Sequence, residues 1–306
     1  MPIPIWHLWH HSVRDLRINH LSAMLAETLM ALPVLERRKR LALSKAYGPE
    51  HPRHVYKFRS VPGDKDGRAR LEQLIVGNEL YAPTSDAFND PFDAQADYRV
   101  EQHGDELREL VYGYFLAHGA PEEMARGFAQ DDVLNSPKRT AALMKENHRK
   151  ILQQLGVYCL AATARDPLLW AHYAQDHRGI AVQFRPSLDL KAMLIHPVEY
   201  NSAYPIIDNY FDRKKRNLLS PLLRKSTSWS YEKEWRIIRE GQPNRTFLVQ
   251  PEAITGVLLG LRISDDDRDY IEELVHERDR RHGVTTRMYK AEPSPGKYDV
   301  RFRRFR

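Results

Sequence analysis

Two glutamates stand two residues apart, Glu232 and Glu234, inside a segment that opens with Lys225, carries Trp229 and Tyr231, and closes with Trp235 and Arg236. From Glu234 to Arg239 bulky and charged residues alternate, which predicts a strand. Residues i and i+2 of a strand share a face about 7 Å apart, so Glu232 and Glu234 are expected to project together at the strand's entrance. Paired carboxylates are costly unless solvated, bound to a cation or used in chemistry. Glu234 is the candidate catalytic residue and Glu232 its acceptor-side partner. The alternative is a structural network of the two with Lys225, Arg236 and Arg239.

Three other segments carry polar groups suited to a ligand. In Tyr56-Lys57-Phe58-Arg59 the period of a strand puts Tyr56 and Phe58 on one face and Lys57 and Arg59 on the other. Arg59 is a planar, bidentate donor suited to a phosphate, or else a surface arginine at a strand end. Thr84 to Asp93 contains Asn89-Asp90-Pro91, a turn former whose side chains bond nearby amides. It is a rigid loop, or a pocket wall to which Ser85 and Asn89 contribute. Asp86, Asp90 and Asp93 could reach a metal, but without a spacing rule the signal is weak, and no metal is assigned. The third segment runs through Trp170, His172 and Tyr173, which offer core packing or ligand contacts. His172 and His177 lie five apart, not at the i, i+4 spacing of helical metal ligands. The chain has no phosphate-cradling glycine loop, no nucleophile elbow and no dinucleotide fingerprint.

The chain of 306 residues can bury a sizeable core, and its 42% hydrophobic and 29% charged residues are ordinary for a soluble globular protein. One cysteine, Cys159, excludes an internal disulfide framework. No stretch reaches the apolar length of a membrane span, and Met1 to His11 does not read as a secretory signal. The expected compartment is bacterial cytoplasm, with no membrane partner. The net charge of +6 gathers at Arg213 to Arg216, at Arg224 and Lys225, and in the final six residues. Such clusters suit nucleic acid or a nucleotide, or form a solvated basic face.

The elements that must position these groups follow from periodicity. Residues 12–47 predict an amphipathic helical segment interrupted at Pro33, so that 1–50 reads as an N-terminal helical extension. Residues 51–306 read as a single α+β domain. Residues 103–155 predict three helices broken at Gly119 to Pro121 and at Ser136-Pro137, a helical insertion. Asp166-Pro167 is a helix start. Strands are expected at 54–59, 79–82, 157–161, 180–184, 197–200, 234–239, 246–250, 256–260, 285–290 and 298–303, and helices at 68–76, 209–222 and 265–279. Strands and helices mix without regular βαβ alternation, so the expected fold is α+β with a mainly antiparallel mixed sheet.

In their order, Tyr56 to Arg59, Ser85 to Asp93, Trp170 to Phe184 and Lys225 to Arg236 resemble a bacterial family of proteins of unknown function, DUF2971. The resemblance spans about residues 54 to 262. It departs at Cys159-Leu160-Ala161, where the family often reads Cys-Phe-Ser. The early arginine, middle serine and late Glu-x-Glu are similar, more weakly, to the arrangement in ADP-ribosyltransferases and to abortive-infection proteins. That likeness implies an NAD-using transferase or NAD glycohydrolase, of the kind found in toxins and anti-phage defence effectors. NAD would be the co-substrate, held by Tyr56, Arg59, Ser85, Asn89, Trp170, His172, Tyr173, Lys225 and Trp229. Two alternatives come from other classes: a nucleic-acid-binding or metal-dependent nuclease module, and a non-catalytic interaction or antitoxin protein.

Overall fold

The computed structural model describes residues 51–117, 119–131, 136–208 and 218–306. The helical segment expected over 12–47 and most of the helix expected over 209–222 lie outside the described residues. The chain runs β1 (Val55–Arg59), α1 (Lys65–Ile75), β2 (Glu79–Ala82), β3 (Asp97–Tyr98), α2 (Gly104–Ala117), α3 (Glu122–Gln130), α4 (Pro137–Leu152) and β4 (Leu155–Ala161). It continues α5 (Pro167–Tyr173), β5 (Ile180–Phe184), β6 (Ile195–Pro197), β7 (Glu199–Asn201), β8 (Ile206–Ile207), β9 (Arg224–Ser226) and β10 (Glu234–Glu240). Last come β11 (Arg245–Leu248), β12 (Ile254–Leu259), α6 (Asp265–His282), β13 (Arg287–Pro293) and β14 (Val300–Arg304).

Local chemistry accounts for the ends of the helices. Asp166 accepts from the Leu168 amide at 2.9 Å and Pro167 opens α5. Ser264 accepts from the Asp267 amide at 3.1 Å, three aspartates occupy the first turn of α6, and Arg280 to His282 occupy its last. Both charge sets complement the helix dipole, and Gly283, at φ 65°, ends the helix in the left-handed region. Helices α2, α3 and α4 break where Gly119 to Pro121 and Ser136-Pro137 predict.

Eight strands form one sheet in the order β14-β13-β12-β5-β1-β4-β10-β6. Neighbours are antiparallel except β12 and β13, which are parallel and joined through α6. The fold is α+β. Alternation along the strands builds a core on each face. Tyr158, Leu160, Trp235 and Ile237 pack with Val182, Val257 and the apolar sides of α1 and α6. Val157 and Ile238 pack on the other face with Leu107, Val111, Met144 and Ile151 of the inserted helices. A smaller cluster gathers Phe58, Leu169, fully buried Trp170 and Val300.

The sheet opens at its middle. β1 pairs with β5 along its whole length, and β4 with β10 along its whole length, but β1 and β4 pair only at Tyr56 and Ala161. Beyond that point the backbone groups of β4 find other partners, as buried polar groups must. The Val157 amide donates to the Pro83 carbonyl at 2.8 Å, and the Lys57 ammonium donates to the Cys159 carbonyl at 2.9 Å. Two half-sheets therefore diverge around an opening.

Candidate active site in the opened sheet

A cavity of about 440 Å³ lies at this opening, within the ordinary size range of ligand sites, roughly 300–1,000 Å³. β1 contributes Tyr56, Lys57 and Arg59; the loop after β2 contributes Phe88 and Asn89; α5 contributes His172 and Tyr173. Lys225, Glu232 and Glu234 close the acidic side.

That side is a buried ion network. Lys225 on β9 contacts Glu232 at 2.7 Å, Glu234 at 3.1 Å and Asp93 at 3.7 Å. Arg236, fully buried on β10, grips Glu234 at 2.8 and 3.0 Å and Asp93 at 3.1 and 2.6 Å, and donates to the Leu222 carbonyl at 2.9 Å. Phe88 covers the guanidinium at 4.9 Å. Three carboxylates thus face two cations. The charge does not balance, and the two glutamates respond differently. Burial would raise Glu234, but Arg236 on both its oxygens and Lys225 on one hold it far below the usual carboxylate range. Burial raises Glu232, with Glu234 adding to the rise against the pull of Lys225. Its second oxygen accepts from the Tyr173 hydroxyl at 2.6 Å. Burial opposes the charge of Lys225, yet Glu234 and Glu232 raise it above an ordinary lysine.

The β1 side is the reverse. Among the described residues, neither Lys57 nor Arg59 has a carboxylate at ion-pair distance. Burial, then the charge of Arg59, lowers Lys57 to about 8. Among the described residues, the cavity therefore has a cationic wall without a carboxylate at ion-pair distance and a carboxylate wall with cations. It can take an anionic ligand and offer it a carboxylate of raised proton affinity.

Comparison with known proteins adds one match. Residues 169–237 match a family model described as protein of unknown function, DUF2971. That match takes in α5, β5, β9 and most of the buried network, and stops short of β1 and the loop after β2. No curated protein and no solved structure matches the chain.

Within the DUF2971 match, the structure places Lys225, Glu232, Glu234, His172 and Tyr173 on the cavity; outside the match, Tyr56, Arg59 and Asn89 join them. Three residues expected at the ligand stand back. Trp170 is fully buried, donates to the Ala164 carbonyl at 2.7 Å and packs edge-on against Phe58 at 5.1 Å, because its face of α5 turns inward. Ser85 opens a short 3-10 turn, where its carbonyl accepts from the Phe88 amide at 3.1 Å, off the cavity wall. Trp229 also lies off the wall, covering Lys225 at 4.9 Å and flanking His172 at 6.2 Å.

Glu232 and Glu234 do not share one strand. Thr227–Glu232 form a 3-10 helix and Lys233 adopts φ 46°, so β10 begins only at Glu234. The left-handed turn brings the two carboxylates together on Lys225, the convergence expected from strand period but by a different backbone. Arg239 is not part of their network: it donates to Gln242 at 3.3 Å and lies over Phe247. Nor do the loop aspartates converge. Asp86 accepts from Gln153 and Asp90 caps the Phe92 amide, leaving only Asp93 in the network. Asp93, expected only as a weak metal candidate, is instead an ion partner of Arg236 and Lys225, and Lys57 is the participant that the sequence did not single out. Alternation did put Lys57 beside Arg59, whereas nothing local marks Asp93 as the partner of Arg236, 143 positions away.

Among the described residues, no helix is long and apolar enough to cross a membrane.

Proposed function

We propose that this protein binds NAD in the opening between β1 and β4 and cleaves its nicotinamide–ribose bond, passing the ADP-ribosyl group to an acceptor or to water. The observation that carries this reading is the cavity that joins Lys57 and Arg59, which have no carboxylate partner among the described residues, to the Glu232–Lys225–Glu234 network. The two cations suit a pyrophosphate, with Arg59 supplying bidentate donors. Tyr56, whose hydroxyl accepts from Gln183 at 3.2 Å, offers an aromatic surface to nicotinamide. As the C–N bond breaks, its electron pair leaves with nicotinamide and positive charge gathers on the ribose. The carboxylate wall stabilises that charge as carboxylates do in glycoside cleavage. Glu234 is fixed by two cations and sets the frame. Glu232, with raised proton affinity, is the base for the acceptor.

Nicotinamide release from NAD in EDTA tests the reading. Arg59→Ala and Glu232→Gln are the informative variants, since Arg59 has no carboxylate partner among the described residues to orphan and glutamine keeps the shape of Glu232. Release by the wild type, lost in both variants while melting temperature is kept, supports the proposal. No release, with no NAD-dependent rise in melting temperature, would sink it. The buried network also supports a second reading, a non-catalytic scaffold in which Asp93, Lys225 and Arg236 tie the loop after β2 to β9 and β10. On that reading Arg59→Ala changes nothing.

A further inference from the structure

We infer that Tyr173 is the proton relay between Glu232 and the acceptor; the inference rests on the NAD reading for the identity of the reaction. The geometry argues through what each oxygen already holds. One oxygen of Glu232 takes the Lys225 ammonium at 2.7 Å and the other takes the Tyr173 hydroxyl at 2.6 Å. An acceptor entering the cavity meets a carboxylate with both oxygens occupied. Lys225 is buried and bound to three carboxylates, so the replaceable contact is Tyr173, which lines the same cavity.

An ionised carboxylate only accepts, so the phenol donates, and the separation is that of a short charge-assisted O–H···O bond. A hydroxyl has one proton and two lone pairs. The proton goes to Glu232. One lone pair accepts from the Asn89 amide nitrogen at 3.3 Å. The other remains for the acceptor's X–H. Neighbouring groups are less suited to carrying the proton. The Nδ1 of His172 is bonded to the Tyr231 hydroxyl at 2.8 Å, and burial pushes the Cys159 thiol up to about 12.

In the step, the acceptor atom X forms a bond to the ribose carbon that nicotinamide has left. The X–H proton passes to the Tyr173 oxygen as the tyrosine's own proton passes to Glu232. Glu232 ends neutral, Tyr173 ends as it began, and the ribosyl cation is quenched. Water later removes the proton from Glu232. Asn89 is a positioning residue in this scheme, holding the phenol in the orientation that points its proton at Glu232.

Steady-state nicotinamide release by wild type, Tyr173→Phe, Glu232→Gln and the double variant, across pH, tests the relay. Tyr173→Phe is expected to lower kcat by about 10² or more with KM nearly unchanged. The double variant should be no slower than the worse single variant, since both remove one relay. A Tyr173→Phe enzyme with wild-type kcat, or losses that multiply, overturns the inference while leaving the NAD reading intact. A second arm does not need turnover. The infrared carboxyl band assigned by its loss in Glu232→Gln should titrate at higher pH in Tyr173→Phe, because removing a hydrogen bond to the carboxylate disfavours its charged form. An unmoved titration overturns the relay whatever the substrate. A wild type that fails to cleave NAD, with this band shifted as expected, would remove the proposed reaction but keep the coupling of Tyr173 to Glu232.

Discussion

The cavity is flanked by two lysine–arginine pairs of opposite condition. Lys225 and Arg236 are buried with three carboxylates, and the charge of each is reinforced. Among the described residues, Lys57 and Arg59 face the same space without one, and Lys57 is pulled down to about 8. The difference separates frame from function. A buried cation whose partners are already in the fold holds elements together; one left without a counter-ion beside a cavity is available to a ligand. Removing a partner from the first pair is therefore expected to endanger the structure, while changing the second is expected to alter binding of the proposed ligand.

The largest expected effect follows directly. Glu234→Ala leaves Arg236 and Lys225 short of a carboxylate in the interior and is expected to cost about 3–5 kcal/mol, read by urea denaturation. Arg59→Ala is expected to stay within about 0.5 kcal/mol of wild type, as surface-like substitutions do, yet to abolish the NAD-dependent rise in melting temperature. A fall in stability for Arg59→Ala as large as for Glu234→Ala would erase the contrast between the two pairs.

Acid and alkali sharpen it further. The Glu234 carboxyl is held below its unfolded value of about 4.5. The folded state then binds fewer protons than the unfolded one, so Glu234 contributes stability above pH 4.5 that is lost as pH falls through the depressed value. A shallower acid dependence in Glu234→Gln, measured by unfolding at successive pH values, checks this. Lys57 behaves oppositely at high pH. Its folded value of about 8 lies below the usual lysine range near 10.4. The unfolded chain holds more protons between these values, so stability rises with pH across that window and Lys57→Met removes the rise. Smallest is the solvent-screened pair of Arg165 and Asp299 at 2.6 Å, where Arg165→Ala should leave the urea-denaturation midpoint nearly unchanged.

Much of the framework was legible in the chain. Alternation marked β1 and β10, and Asp166-Pro167 and the breaks at Gly119 to Pro121 and Ser136-Pro137 marked helix ends, because caps and turns act through adjacent residues. The candidate site was legible in its residue types and not in its geometry. Nothing near Tyr56 indicates that β1 will leave β4 after one pair, since that depends on partners a hundred positions away. The turn at Lys233 was hidden because a lysine with φ 46° is read as strand when its neighbours alternate. The indole of Trp170 looked like a ligand surface and serves the core, since periodicity names a face without saying what it meets.

Residues 175–177 leave α5 through three successive left-handed conformations, at φ 51°, 52° and 69°. They deliver Gly179 so close to β1 that any Cβ there would collide with the Arg59 carbonyl. Arg59 is thus seated by its backbone, paired with Ile180 and packed at its carbonyl against Gly179. Location and chemistry at position 59 are separable. Lysine, histidine or an unnatural cation can be installed there to test whether the cavity takes an anion, whereas a single methyl group at position 179 would displace the strand that carries it.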